Sequence, residues 1–169
     1  LLVGAYQMGI RDYDTEKLYE AVRKMQMTPA RPVANGFAGN RDLAVYLKHH
    51  YVPADLGRAS NTLEYAFDDW TVAQLAKAMG KNADFERFME RSTWWRTIFD
   101  AETGFARLKN ADGRWVTPFD PYRSGANKEY VEGNAWQLTY FVPQDIPGLI
   151  KAMGHKRFWK RLNDGFTRG

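Results

Sequence analysis

The strongest constraint on this 169-residue chain is a pair of amphipathic helical patterns separated by one tight turn. Apolar residues recur at helical spacing over residues 60–79, and again from residue 82 to about residue 99. Gly80 stands between the two patterns, where glycine commonly ends a helix. Because so short a turn forces its two helices to lie antiparallel, the sequence predicts an αα-hairpin.

Short polar residues stand where helices are expected to begin. Asp14, Ser60 or Asn61, and Asn82 can each accept a hydrogen bond from a backbone amide in the first turn of a helix. The helix after Asp14 is expected to end near Thr28, because the proline that follows disfavours helix just before it.

The segments between the helical patterns contain turn residues. Residues 30–40 are predicted to form an exposed loop, and a short amphipathic helix is predicted around residues 43–47. Two apolar runs, 104–108 and 114–117, flank an Asp-Gly turn and predict a β-hairpin. Residues 118–130 are predicted to form a further loop.

Helical patterns resume in the C-terminal third of the chain. Helices are predicted over residues 134–141, from Asp145 to Gly154, and over residues 156–163. Helical hairpins joined by longer loops define the predicted fold class, which is all-α with a minor β-hairpin.

Composition argues against several classes of protein. The 24 basic residues exceed the 20 acidic ones by only four and are scattered, which is not typical of a nucleic-acid binder. The absence of cysteine excludes thiolate catalysis and cysteine-bound zinc. No apolar run reaches membrane-spanning length, so no membrane partner is predicted. Aromatic residues make up 15% of the chain, which suits either an aromatic core or a surface that stacks on sugars.

Two groups of titratable residues are candidates for a functional or a purely structural role. His49 and His50 are adjacent, and neighbouring helical side chains point about 100° apart, so no shared metal site is predicted. Glu64 and Asp68 share one helix face, where their charges repel unless a cation or a substrate compensates them. The alternative is that a carboxylate of the Asp68–Asp69 pair meets an arginine or a backbone amide.

Glu132 is the carboxylate with the most suggestive neighbours. It stands where a loop enters a predicted helix, beside Gly133, two amides and a tryptophan, which are Asn134, Gln137 and Trp136. Amides can hydrogen-bond sugar hydroxyls, tryptophan can stack on a pyranose face, and a carboxylic acid can protonate a glycosidic oxygen. A carboxylate here can equally be a simple helix cap, and spacing alone leaves both interpretations open.

Two long motifs carry a resemblance to a known family. Residues 130–145 and 62–70 closely resemble glycoside hydrolase family 92, whose members are calcium-dependent exo-acting α-mannosidases. Shorter segments at 5–11, 51–55 and 99–105 agree with it, and the similarity covers the whole chain in the expected order.

The resemblance implies a fold and an activity. Residues 1–169 are expected to be part of an (α/α)6 catalytic domain in a longer protein, without its N-terminal β-sandwich and the C-terminal part of the barrel. That protein is expected to be a calcium-dependent, inverting exo-α-mannosidase that removes terminal α-linked mannose from glycans, in the periplasm or outside the cell.

The resemblance also assigns roles to residues. Glu132 corresponds to the general acid, and Asn134, Trp136 and Gln137 are expected to bind the sugar. The family's catalytic base and its principal calcium ligands belong to more C-terminal segments that do not occur in this chain. No metal ligand is therefore assigned here, Ca2+ is expected only in the full-length enzyme, and the isolated chain is expected to be inactive.

Two other interpretations remain at this point. The chain could be a non-catalytic helical module that binds carbohydrate or protein through aromatic residues. It could also be an (α/α) barrel glycosidase for another sugar, although that would not share the motif at 132–137. Because an incomplete barrel exposes apolar helix faces, self-association is expected under any of these interpretations.

Overall fold

The computed structural model describes residues 2–124 and 129–168 of the chain. In chain order its elements are α1 (Leu2–Gln7), α2 (Thr15–Met27), β1 (Arg31–Val33), β2 (Gly36–Ala38), α3 (Leu43–His49), α4 (Asn61–Ala78), α5 (Asn82–Arg91), a 3-10 helix (Trp94–Ile98), β3 (Phe99–Asp100), β4 (Phe105–Ala106), α6 (Ala135–Leu138), a second 3-10 helix (Pro143–Asp145), α7 (Ile146–Met153) and α8 (His155–Arg168). The predicted class, mostly helical with a minor antiparallel β component, is confirmed.

Helix α4 is the centre of the structure. It packs against α1, α2, α5 and the 3-10 helix at Trp94–Ile98. Its buried apolar residues lie on several faces rather than on one stripe and comprise Leu63, Tyr65, Ala66, Val72, Ala73, Leu75 and Ala76. The helical spacing over residues 60–79 predicts one apolar stripe through Leu63, Phe67 and Trp70. This prediction is wrong in detail, because a helix surrounded by neighbours buries most of its circumference. Phe67 of that stripe is only half-buried.

The αα-hairpin of α4 and α5 is confirmed. At its turn the amide of Gly80 donates to the carbonyl of Lys77 at 3.2 Å, and the amide of Lys81 donates to that of Ala76 at 2.8 Å. These two bonds form a Schellman motif, which needs a left-handed residue, and Gly80 supplies it with φ of +70°.

Helix α5 differs from its prediction at both ends. Lys81 occupies the N-cap position without a side-chain bond, so Asn82 is the first helical residue and not the cap. The helix ends at Arg91 and not near residue 99. The hydroxyls of Ser92 and Thr93 donate to carbonyls three residues earlier, at 2.6 and 2.7 Å, and a 3-10 helix follows. Such local side-chain bonds compete with the continuation of an α-helix.

Of the remaining caps, Asp14 and Asp145, which begins another predicted helix, are confirmed, whereas Ser60 and Asn61 are not. The Asp14 carboxylate accepts from the amide of Lys17 at 3.0 Å, and that of Asp145 accepts from the amide of Gly148 at 3.0 Å. Ser60 precedes α4 but makes no cap bond with its side chain. The Asn61 side chain does not cap α4 either, since it lies inside the helix and donates to Asp42.

The β structure is more extensive than predicted. The segment 30–40 is exposed, as expected, but it contains the antiparallel pair β1 and β2. The hairpin around the Asp-Gly turn is present as a bridge between Lys109 and Trp115. Its first arm, however, pairs with β3 through β4, so the predicted two-run hairpin is only partly right.

Several other boundaries differ from the sequence predictions. Helix α6 is shorter than the predicted 134–141, α8 extends beyond the predicted 156–163, and α1 lies where no helix was predicted. Residues 125–128 of the loop predicted at 118–130 lie outside the described residues. No helix among the described residues is both long and apolar enough to cross a lipid bilayer.

Candidate active site

An open cleft of about 470 Å³ lies between α4 and the segment that leads into α6 and beyond it. Helix α4 contributes Glu64, Phe67 and Asp68 to its lining. The other lining residues are Val131, Glu132, Leu138 and Phe141. The cleft therefore brings together three carboxyl groups from two segments that are more than sixty residues apart in sequence.

Glu132 is exposed and has an unusual backbone conformation. Its φ of +55° is in the left-handed region, which residues other than glycine rarely adopt. The next residue is confined as well, because a Cβ on Gly133 would lie 3.1 Å from Oε1 of Gln137 and 3.3 Å from Cγ of Leu138. Strained conformations of this kind cluster at functional sites, where the surrounding structure enforces them.

Neighbouring elements fix the segment that precedes Glu132. The amide of Ser60 donates to the carbonyl of Glu129 at 3.1 Å, and the amide of Val131 donates to the Ser60 hydroxyl at 2.9 Å. Tyr130 is buried, and its hydroxyl donates to the carbonyl of Ala106 at 2.9 Å. The loop that carries Glu132 is thus held by the start of α4 on one side and by β4 on the other.

The cleft concentrates negative charge. Glu64 is exposed as a residue, but its carboxyl is partly shielded from water. This desolvation raises the pKa of Glu64. The charges of Asp68 and Glu132 raise the Glu64 pKa further, and Arg58 acts against them. Burial also raises the pKa of Asp68, against a hydrogen bond from Gln26. The surroundings therefore favour a proton on the carboxyls of α4 that face this cleft.

Aromatic rings form the apolar part of the cleft wall. Phe67 meets Phe141 edge to face, with ring centroids 5.6 Å apart, and stacks on Trp70 at 6.0 Å. Rings beside carboxylates offer a sugar both an apolar face and acceptors for its hydroxyls.

The other predicted site residues line a different cleft. Asn134, Trp136 and Gln137 border a cavity of about 340 Å³ that also includes Tyr122 and residues of α8. Asn134 caps α6, since its Oδ1 accepts from the amide of Gln137 at 3.0 Å. Trp136 stacks on Tyr122 with ring centroids 5.2 Å apart. The structure thus separates these three side chains from the cleft that contains Glu132, although Gln137 approaches Gly133.

The described residues do not supply a metal centre. Among residues 2–124 and 129–168, no group of three or more acidic or histidine side chains is arranged to hold an ion. His50 stacks on Trp94 with centroids 4.2 Å apart, and His49 lies beside Tyr51. The calcium ion implied by the family resemblance does not fit this set of side chains alone.

Sequence reasoning singled out Glu132 and missed its grouping with α4. Glu64 and Asp68 are four residues apart and therefore share one face of a helix. This spacing was the available signal that the two carboxyls could act together. Nothing in the sequence pattern indicated that this face would meet residue 132.

Carboxyl groups that flank a cleft are the groups that glycoside hydrolysis uses, and aromatic rings can line the apolar part of such a pocket. The whole chain, residues 1–169, matches the model of the glycosyl hydrolase family 92 catalytic domain. The chain therefore belongs to glycoside hydrolase family 92.

Solved structures from Bacteroides thetaiotaomicron are similar to this chain. A family 92 α-mannosidase is 35% identical with a TM-score of 0.84, over 96% of this chain and 21% of that one. An inverting family 92 mannosidase is 31% identical with a TM-score of 0.87, over 96% of this chain and 22% of that one. The first of these enzymes has also been solved in complex with mannoimidazole.

A curated relative gives the same picture. An uncharacterized secreted glycosidase of Arthroderma benhamiae is 27% identical over 96% of this chain and 25% of its own length. The chain thus spans about a fifth to a quarter of the relatives that it matches. It has the fold of the corresponding part of the two mannosidases, as the predicted partial (α/α)6 barrel requires.

Proposed function

We propose that this chain is part of the catalytic domain of a longer protein, an inverting exo-α-mannosidase, and that Glu132 is its general acid. Family membership supports the glycosidase activity, and the two mannosidases at 31% and 35% identity support mannose as the sugar. Terminal mannose on glycans is the proposed substrate. The secreted relative supports a periplasmic or secreted location for the longer protein.

The observation that carries this proposal is the position of Glu132 on the cleft. Its carboxyl lies on a concave surface accessible from solvent, beside two carboxyls of α4 and an aromatic wall. In the proposed reaction, protonated Glu132 gives its proton to the oxygen that links mannose to the leaving group. The bond between that oxygen and the anomeric carbon breaks while water, deprotonated by a base, attacks the opposite face.

The second half of this chemistry requires residues beyond the chain. Inversion places acid and base about 6.5–9.5 Å apart with water between them. The resemblance assigns the base and the principal calcium ligands to more C-terminal segments. We therefore propose that Ca2+ belongs to the full-length enzyme, where segments other than this chain supply its principal ligands.

The direct test is Glu132→Gln in the full-length enzyme, with aryl α-mannosides of graded leaving-group ability. For a poor leaving group such as phenol, kcat is expected to fall by about 10²–10⁴-fold, because its departure needs the proton. A dinitrophenyl mannoside, whose leaving group departs without protonation, is expected to lose much less.

Glu129→Gln is the matched control. Glu129 lies three residues earlier in the same loop, is half-buried, and uses its backbone carbonyl to meet Ser60. Its variant is expected to retain the leaving-group profile of the native enzyme. Equal rates for native enzyme and Glu132→Gln on the phenyl mannoside would exclude Glu132 as the acid.

A non-catalytic sugar-binding function is the second candidate, because the cleft at Trp136 resembles a stacking site. Tyr122 and Trp136 form a stacked aromatic pair there, with Arg161 also in the lining. Calorimetric titration of the chain with mannose separates the candidates. Saturable binding that Trp136→Ala abolishes would favour a binding module, whereas an incomplete catalytic pocket is expected to bind weakly or not at all.

A further inference from the structure

Ser60 joins the start of α4 to the loop that carries Glu132. Ser60 is 2% exposed, and its side chain does not cap the helix that it precedes. Instead its hydroxyl accepts from the amide of Val131 at 2.9 Å, while its own amide donates to the carbonyl of Glu129 at 3.1 Å. The two bonds hold the loop backbone on both sides of Tyr130.

These bonds act on the residue immediately before Glu132. A fixed Val131 amide limits the backbone positions available to its neighbour, and that neighbour has a left-handed φ of +55°. An exposed glutamate on an unrestrained loop samples many orientations, and only a few point its carboxyl at a glycosidic oxygen. Proton transfer requires the donor within hydrogen-bonding reach of that oxygen, so small displacements reduce the rate steeply.

We propose that Ser60 is a positioning residue for proton donation by Glu132, an inference that rests on the function proposed above. Its hydroxyl accepts a hydrogen bond from the Val131 amide. This bond fixes the backbone from which the Glu132 side chain projects into the cleft. Ser60 does not line the cleft of about 470 Å³. Its loss is therefore expected to affect the protonation step and not the binding of the sugar.

Thr62 provides a matched control two residues further along. It is fully buried, and its Oγ1 accepts from the amide of Val52 at 2.9 Å. It thus makes the same kind of bond from the same end of α4, but to a segment other than the Glu132 loop. Ser60→Ala and Thr62→Val each remove one buried hydroxyl that accepts a hydrogen bond from a backbone amide.

The experiment measures kcat and KM of both variants in the full-length enzyme, with phenyl and dinitrophenyl α-mannosides. For Ser60→Ala, kcat on the phenyl substrate is expected to fall about tenfold or more, with KM unchanged and kcat on the dinitrophenyl substrate nearly retained. For Thr62→Val, the ratio of the two kcat values is expected to stay at that of the native enzyme. Thermal unfolding of both variants verifies that each is folded at the assay temperature.

Three results would overturn the role of Ser60. These are an unchanged kcat for Ser60→Ala, an equal fall on both substrates, and a shift in the ratio that Thr62→Val reproduces. Glu132→Gln, measured in parallel, separates this failure from failure of the proposed function. If Glu132→Gln shows the leaving-group dependence and Ser60→Ala does not, only the inference on Ser60 is wrong. If Glu132→Gln shows none, the proposed general acid is wrong.

Discussion

Asp68 and Asp69 are adjacent in sequence and have opposite surroundings. Asp68 borders the cleft of the candidate site, whereas Asp69 is fully buried and pairs with Arg91 of α5, with an N to O distance of 2.8 Å. Arg91 also donates to the carbonyl of Gln26 at 2.9 Å, so the pair joins α2, α4 and α5. The alternative that one carboxylate of this pair meets an arginine is confirmed for Asp69.

The buried pair leads to a stability prediction. Arg91→Met keeps most of the apolar volume of the side chain but leaves the Asp69 carboxyl without its cation. Burial raises the pKa of Asp69 to about 7 although Arg91 opposes this shift, so loss of the cation makes the carboxyl still harder to ionise. The free energy of unfolding is expected to fall by about 3–5 kcal/mol, measured by urea unfolding.

Arg114→Met is the control for that measurement. Arg114 also contacts a carboxylate, Asp112, at 2.8 Å, but its side chain is 84% exposed. Solvent screens such a pair, so the expected loss is below about 1 kcal/mol. Similar losses in the two variants would show that burial of the Asp69–Arg91 pair does not carry the effect.

At the scale of elements, the α4–α5 hairpin was predictable and the end of its second helix was not. A helical pattern that ends in glycine is a local signal, and the Schellman turn at Gly80 realises it. The apolar pattern continued to residue 99, but α5 ends at Arg91. After Arg91 the apolar residues lie in the 3-10 helix Trp94–Ile98 and in strand β3. Apolar periodicity does not distinguish these elements from a longer α-helix, because tertiary packing selects among them.

The turn gives a prediction at this scale. Gly80→Ala places a Cβ on a residue with φ of +70°, where no atom obstructs it, so the cost is purely conformational. The free energy of unfolding is expected to fall by about 1 kcal/mol, measured by thermal or urea unfolding. Gly4→Ala is the control, since Gly4 lies inside α1 without a positive φ or a close neighbour, and no loss is expected. Equal effects at the two positions would contradict the left-handed requirement at Gly80.

At the scale of the whole molecule, the chain exposes apolar surface at both of its ends. Met8 near the N-terminus and Phe166 near the C-terminus are 81% and 84% exposed, and Leu2, Ile10 and Trp159 add to these surfaces. Soluble monomers seldom expose so much apolar side chain without a partner. The chain spans only about a fifth of the length of each matched mannosidase. We therefore propose that other parts of a longer protein cover these apolar surfaces.

The isolated chain provides the prediction at this scale. It is expected to show no turnover of aryl α-mannosides, because inversion needs a base as well as an acid. It is also expected not to bind Ca2+ tightly, because the described residues include no group arranged to hold an ion. A coupled assay for released phenol and calcium titration by calorimetry measure the two outcomes, with the full-length enzyme as positive control. Turnover by the chain alone would contradict the assignment of the base to another segment.

The sequence by itself determined the local structural features of this protein and the family to which it belongs. Helix starts at Asp14 and Asp145, the turn at Gly80 and the motif around Glu132 depend on neighbours within a few residues, so their patterns are legible in the chain. Only the tertiary structure decided which carboxyls share a cleft, that Asp69 and not Asp68 is buried, and that Ser60 holds the loop of residue 132. Those contacts join residues from 22 to 71 positions apart, and such distances are set by how the helices pack around α4.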